Sequence, residues 1–290
     1  MRLTWITDVH LEFPGKQGRE EFYDTIAYQK PDHILITGDI SNAVELQGHL
    51  FEMQEHVKTP IIFVMGNHDY YGGSIEEMRE WAEDVRSGPY GADVFWAQDS
   101  IIFLNDSACI VGVDGWADGQ LGDPKGSHIL LNDWTLIDEM DSANIGRDRR
   151  KRLKMLKALG KADADILRPR LTEALGQFDH VYVMTHVPPW KAATWHNGSH
   201  SDDSWLPWFS CKAVGDCIEE VSALMPGKKI TVLCGHTHGS GYSKISDDIE
   251  VYTGAATYYL PEVQLNFDIM EDGSYAKVQP TTKWEAENRD

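Results

Sequence analysis

Short apolar runs recur along the chain, and each ends in a cluster of polar residues. The runs at 3–7, 34–37, 61–65, 181–185 and 230–234 predict buried strands. Between the first three, residues 18–29 and 43–56 predict helices. In the second of these, Leu46, Leu50 and Met53 recur at helical spacing. Pro31 ends the first helix. Strand, polar tip and helix in repetition predict parallel βαβ units, hence an α/β fold. In such sheets ligands bind beyond the carboxyl ends of the strands, so the three N-terminal tips fall on one edge.

Further along, a Ser-x-x-Glu pattern at Ser74 and Glu77 opens a predicted helix over 74–85. Strand-like runs follow near 93–97, 101–105 and 108–113, then a glycine-rich loop at 115–128. Residues 147–177 predict one or two helices, interrupted near Pro169. A helix is expected at 211–225, strands at 240–245, 249–254 and 262–270, and frayed polar residues from about 280. No repeat, low-complexity tract or linker divides the chain, so residues 1–290 read as one domain.

The tips carry the chemistry. Asp8, His10, Asp39, Asn67, His186, His236 and His238 stand at or just past the ends of the five runs. If extended geometry persists, Asp8 and His10 share a face, as do His236 and His238, because side chains alternate with period two. Glycines bracket the last pair and let the backbone approach a bound group closely. Carboxylate, imidazole and amide oxygen together suit Mn, Fe, Zn or Co. Seven side chains are too many for one tetrahedral ion; they suit two ions with one bridging carboxylate. His33, His49, His56, His128 and His180 follow no such pattern and read as surface or satisfied core residues.

Charge and composition narrow the partners. With 26 Lys and Arg against 46 Asp and Glu, the net charge is −20, which repels a long polyanion such as nucleic acid. A small anionic substrate remains compatible if metal ions reverse the local field. No apolar run reaches the roughly 18 residues of a membrane span. Residues 1–13 lack the apolar stretch of a secretory leader, so a soluble, cytoplasmic protein is expected. Cys109, Cys211, Cys217 and Cys234 have no zinc-finger spacing and are expected to be buried thiols.

The order Asp8-Val9-His10, Gly38-Asp39, Gly66-Asn67-His68-Asp69, Thr185-His186 and Gly235-His236-Thr237-His238 resembles the calcineurin-like metallophosphoesterase superfamily. The resemblance spans residues 8–238. It implies a four-layer α/β/β/α sandwich. It also implies that Asp8, His10, Asp39 and His238 hold one metal, and Asp39, Asn67, His186 and His236 the other, with Asp39 as the bridge. The protein Ser/Thr phosphatase branch follows Gly-Asp with a further Asp and an Arg. Here Ser41-Asn42-Ala43 stands instead, which points away from phosphoproteins and towards small phosphomonoesters or phosphodiesters, including cyclic nucleotides.

Two divalent or trivalent ions sharing a water lower its pKa and generate a bridging hydroxide that attacks phosphorus. His68 then protonates the leaving oxygen or stabilises the transition state. Asp69 either orients His68 or caps the helix after it. The loop 188–210, rich in tryptophan, is expected to cover the substrate through Trp190 and Trp195, or else to be a surface cover or dimer contact. His196, His200, Trp116 and Asp118 are weaker candidates. The basic run from Arg147 to Lys157 reads as a solvated helix face, because Leu153, Leu156 and Leu159 alternate with its charges. The rivals are a nuclease on the same scaffold and a non-catalytic metal-binding scaffold for protein partners. The scaffold reading predicts lost ligands, which this sequence does not show.

Overall fold

A computed structural model describes residues 1–87, 93–141 and 148–281. The strands in chain order are β1 Arg2–Ile6, β2 His33–Thr37, β3 Ile61–Val64, β4 Val94–Trp96, β5 Ile102–Phe103, β6 Ala108–Gly112 and β7 His180–Met184. They continue with β8 Trp195–His196, β9 Ser199–His200, β10 Lys229–Cys234, β11 Gly241–Lys244, β12 Ile249–Thr253, β13 Val263–Ile269 and β14 Tyr275–Val278. One six-stranded sheet has the order β14-β13-β1-β2-β3-β4, the other β11-β12-β10-β7-β6-β5. β1, β2, β3 and β4 pair in parallel, as do β6, β7, β10 and β12.

Side-chain alternation turns these sheets into four layers. Leu35, Ile62 and Val64 point inward and meet Ile110, Tyr182, Met184 and Leu233 of the second sheet. Ile34, Ile36, Ile61 and Phe63, one residue out of phase, pack against Tyr23, Ile26, Leu50 and Met53. Those four come from the helices Lys16–Tyr28 and Leu46–Val57. On the far side Val111, Val181, Val183 and Val232 pack against Leu167, Leu171, Val214 and Ile218. These belong to the helices Arg149–Gln177 and Lys212–Leu224. The central strands are therefore apolar on both faces, as sheets covered on both sides require. The four-layer α/β/β/α sandwich is present.

Three details depart from the sequence reading. The helix at Arg149–Gln177 runs through Pro169 without a break. Pro169 lies on the exposed side, where water can satisfy the carbonyl that loses its backbone donor. β14 was not foreseen, nor was the hairpin of β8 and β9. The latter has only two residues a side, too short for a periodic signal. The basic run begins this long helix, capped by Asp148, which accepts from the N–H groups of Arg150 and Lys151. Leu156 is buried and Arg152 lies over the Trp134 ring. Arg147 and residues 282–290, including most of the expected frayed tail, lie outside the described residues. Among the described residues no helix is long and apolar enough to cross a membrane. All four cysteines are buried and unpaired.

Candidate metal centre

β1, β2 and β3 end side by side in one sheet, and β7 and β10 end side by side in the other. Backbone hydrogen bonds weld the following segments together. Asp8 N–H donates to the Gly38 carbonyl at 3.0 Å and His10 N–H to that of Asp39 at 3.0 Å. Gly235 N–H donates to the His186 carbonyl at 2.9 Å. His236 N–H crosses between the sheets to Asp8 Oδ1 at 2.9 Å. A Cβ on Gly66 would collide with Asp39 Oδ1 and His186 Nε2, and one on Gly235 with the Asp8 carboxylate. These two glycines make room for the functional side chains.

The expected alternation along the strands does not hold. Asp8, His10, Asp39, His236 and His238 all have left-handed backbones, with φ of 49°, 43°, 51°, 68° and 56°. Each such residue costs about 1–2 kcal/mol, and strain of this kind concentrates at functional sites. The turns divide the C-terminal pair between two clusters instead of placing both histidines on one. In one, His10 Nε2 lies 3.4 Å from His238 Nε2 and 3.9 Å from Asp39 Oδ2. His238 Nε2 is 3.4 Å from Asp8 Oδ1. In the other, His186 Nε2 lies 3.3 Å from Asp39 Oδ1, 3.2 Å from Asn67 Oδ1 and 3.2 Å from His236 Nδ1. Asp39 thus turns one oxygen to each cluster. The titratable ligand atoms of each cluster lie within 4.8 Å of one another.

The second cluster has a proton deficit. In the neutral tautomer His186 Nδ1–H donates to the Thr37 carbonyl at 2.8 Å, leaving Nε2 a bare lone pair. His236 Nε2–H donates to the Trp208 carbonyl at 3.0 Å, leaving Nδ1 bare. Asn67 Nδ2 donates to Tyr71 Oη at 3.1 Å and Asp133 Oδ1 at 2.9 Å, turning its Oδ1 inward. Four acceptors then converge with no hydrogen between them, an arrangement that a cation satisfies. Without one, a proton serves. Burial opposes charge on His186, but Asp39 and then Asp8 raise it to about 10. His236, pushed down by burial and by its neighbour His186, falls to about 4. In Asp39, the surrounding imidazoles outweigh burial and hold the carboxyl well below its usual range. The donor chemistry therefore fits two divalent cations that share a carboxylate.

A pH dependence follows. A cation entering the second cluster must displace the proton on His186, so loading at about pH 8 is expected to release protons. Apparent affinity should climb with pH and level off near the His186 value of about 10. Titration calorimetry in buffers of different ionisation heat measures the release, and its absence would show that no proton sits on His186 in the cation-free protein.

His68 stands beside the first cluster. Its ring centroid is 4.5 Å from that of His10 and 4.3 Å from that of Tyr71, and its Nδ1 is 3.9 Å from Glu12 Oε1. Burial lowers its basicity, but Asp39 and Glu12 raise it to about 9. Asp69 neither orients His68 nor caps a helix. Its Oδ1 accepts from the Ile40 and Ser41 N–H groups and its Oδ2 from Gly66 N–H, at 2.8–2.9 Å. It straps the Gly38-Asp39 turn to the Gly66-Asn67 turn. Asp69→Ala would strand three buried donors and is expected to cost roughly 3–5 kcal/mol of stability by denaturant unfolding. A loss below about 1 kcal/mol would show that the strap is dispensable.

Some neighbours were missed in the sequence. Glu12 is the clearest: it continues the every-second-residue spacing of Asp8 and His10, and its Oε1 is also 3.7 Å from His10 Nδ1. Tyr258 lies with its ring centroid 4.7 Å from that of His10 and 5.3 Å from that of His238. Its place twenty residues after His238 carries no local signal. Tyr71 and Asp133, which hold Asn67, were also missed.

A cavity of about 540 Å³ opens over both clusters. His196, His200, Trp205 and Phe209 line it, so part of the 188–210 loop forms its wall, but Trp190 and Trp195 do not line it. Trp190 donates to Glu219 on the adjacent helix, and Trp195 packs on His200 with centroids 4.1 Å apart. Trp116 is buried against Tyr70, and Asp118 accepts from Ala213 N–H at the start of the helix Lys212–Leu224. Of the remaining histidines, His49 bonds Ser41 Oγ and His180 bonds Thr231 Oγ1, both buried. His56 pairs with Asp24, His128 is exposed, and His33 is half-buried.

Two acceptor clusters sharing a carboxylate stand at the facing strand ends of a double-sheet sandwich, a donor set that fits metal ions. The model of the calcineurin-like phosphoesterase family matches residues 1–240. The chain belongs to that family, and its class is that of a metal-dependent phosphoric ester hydrolase. The fold is similar to that of a dimetal phosphatase from Danio rerio, with a TM-score of 0.60 at 13% identity over 97% of this chain and 99% of that one. It is also similar to phosphopantetheinyl hydrolase from Mycobacterium tuberculosis, with a TM-score of 0.59 at 14% identity over 89% of each chain. A search of curated protein sequences finds no match.

Proposed function

We propose that this chain hydrolyses a small phosphomonoester or phosphodiester at a two-cation centre. Asp8, His10, Asp39 and His238 would hold one cation, and Asp39, Asn67, His186 and His236 the other. The carrying observation is the shared carboxylate, one oxygen facing each cluster. When bound, two such cations acidify a water and neutralise charge on the phosphoryl oxygens. Tyr71 and Asp133 keep the Asn67 oxygen turned inward. His68 reaches the cavity wall, where its imidazole would supply a proton to the leaving oxygen. A polymeric nucleic acid is a poor fit: among the described residues no Lys or Arg lines the cavity, and the net charge is −20.

The test is hydrolysis of p-nitrophenyl phosphate and of its bis-ester, with Mn added and then chelated. Turnover that appears with the metal and vanishes with the chelator is expected. Inertness towards both esters under every metal condition would sink the proposal.

A further inference from the structure

The cavity has a built wall beyond the phosphate position, which deepens the phosphoesterase reading and rests on it. Residues Leu206–Phe209 form a single helical turn with Pro207 inside it. Asp202 Oδ1 caps the turn by accepting from the N–H groups of Ser204 and Trp205 at 2.8 and 3.2 Å. Trp208 anchors the turn from below: it is buried, donates through Nε1 to Ser127 Oγ, and accepts from His236 Nε2. Trp205 and Phe209, four apart, therefore share the opposite face, towards the cavity. The Phe209 ring stands 4.9 Å from His236 at 80°, and the Trp205 ring 4.9 Å from Phe209 at 34°.

These rings make a ledge that begins at the second cluster and ends at the mouth. Trp205 stays 38% exposed and lines the cavity, so part of its ring is open to a ligand there. Tyr258, 43% exposed, lines the same cavity beside the first cluster. Among the described residues no Lys or Arg lines the cavity, so beyond its imidazoles no fixed cation faces a second anionic group.

We infer that the ester group of the substrate is a flat, uncharged ring system that stacks on Trp205 and Phe209. Aryl or nucleoside monoesters and diesters fit this description; bisphosphates and polyphosphates do not. The ledge sets specificity and takes no part in bond breaking.

The test is binding to the Mn-loaded protein, read by calorimetry with non-hydrolysable phosphonates. Phenylphosphonate should bind roughly 5- to 150-fold more tightly than methylphosphonate, the range expected of one stacked ring. Trp205→Ala should bring that ratio close to one, and Trp205→Phe should restore most of it. A carboxylate para to the phosphonate should weaken binding. An unchanged ratio in Trp205→Ala overturns the ledge while leaving the phosphoesterase reading intact. Equal binding of the carboxylated compound overturns the requirement for an uncharged group. If neither simple phosphonate binds, the phosphoesterase reading falls and the ledge falls with it.

Discussion

Asp39→Asn is expected to leave the protein folded but without either cation, and turnover should fall below detection. The substitution keeps the side-chain shape and a residue type tolerated at the left-handed φ of 51°. Its amide oxygen can still accept from His68 N–H, as Asp39 Oδ1 does at 2.9 Å. What it removes is the charge and the second acceptor: an NH₂ group would face His10 or His186 where a lone pair is needed. Because both clusters depend on this one carboxylate, damage at one should appear at both. Elemental analysis after dialysis against Mn should show less than one ion per chain, with an unchanged circular dichroism spectrum. Two retained ions would show that Asp39 does not bridge. Asp39→Ala is a poorer probe, since alanine pays the left-handed strain with no ligand in return.

His68→Ala is expected to separate chemistry from metal binding. The backbone N–H that supports Asp39 remains, and the His68 ring belongs to neither four-residue set. Both ions should stay bound while kcat falls by about 10²- to 10⁴-fold, the usual worth of a positioned proton donor. The defect should depend on the leaving group. An alkyl ester, whose alkoxide needs a proton, should show the full loss; p-nitrophenyl phosphate, whose phenolate departs unaided, should show much less. A uniform loss across both esters would reassign His68 to stabilising the phosphoryl group. Loss of metal together with activity would remove the division of labour altogether.

Much of this architecture was legible because the relevant signals are local. The runs at 34–37 and 61–65 are apolar at successive positions, so both faces had to be covered, and that alone requires layers outside and inside the sheet. The polar tips stood out because each interrupts an apolar run. The Pro169 interruption was misread because a proline's cost depends on whether the freed carbonyl faces water, which the local pattern does not encode. The Asp69 assignment failed for a related reason. Its partners are backbone N–H groups at Ile40, Ser41 and Gly66, and backbone donors leave no trace in residue identity. Trp190 and Trp195 were favoured over Trp205 because composition cannot tell which face of an irregular loop a ring occupies.

The sequence by itself determined which residue types would stand at five strand ends, and parallel pairing then determined that those ends would be neighbours. It could not determine how their side chains turn. That depended on five left-handed residues, held in place by hydrogen bonds between tips as remote in the chain as Asp8 and His236. Backbone strain of this kind is tolerated only where surrounding contacts over-determine it, and those contacts exist only once both sheets have closed on each other. The sorting of seven side chains into two clusters that share one carboxylate is therefore a property of the assembled sandwich, written in no single segment.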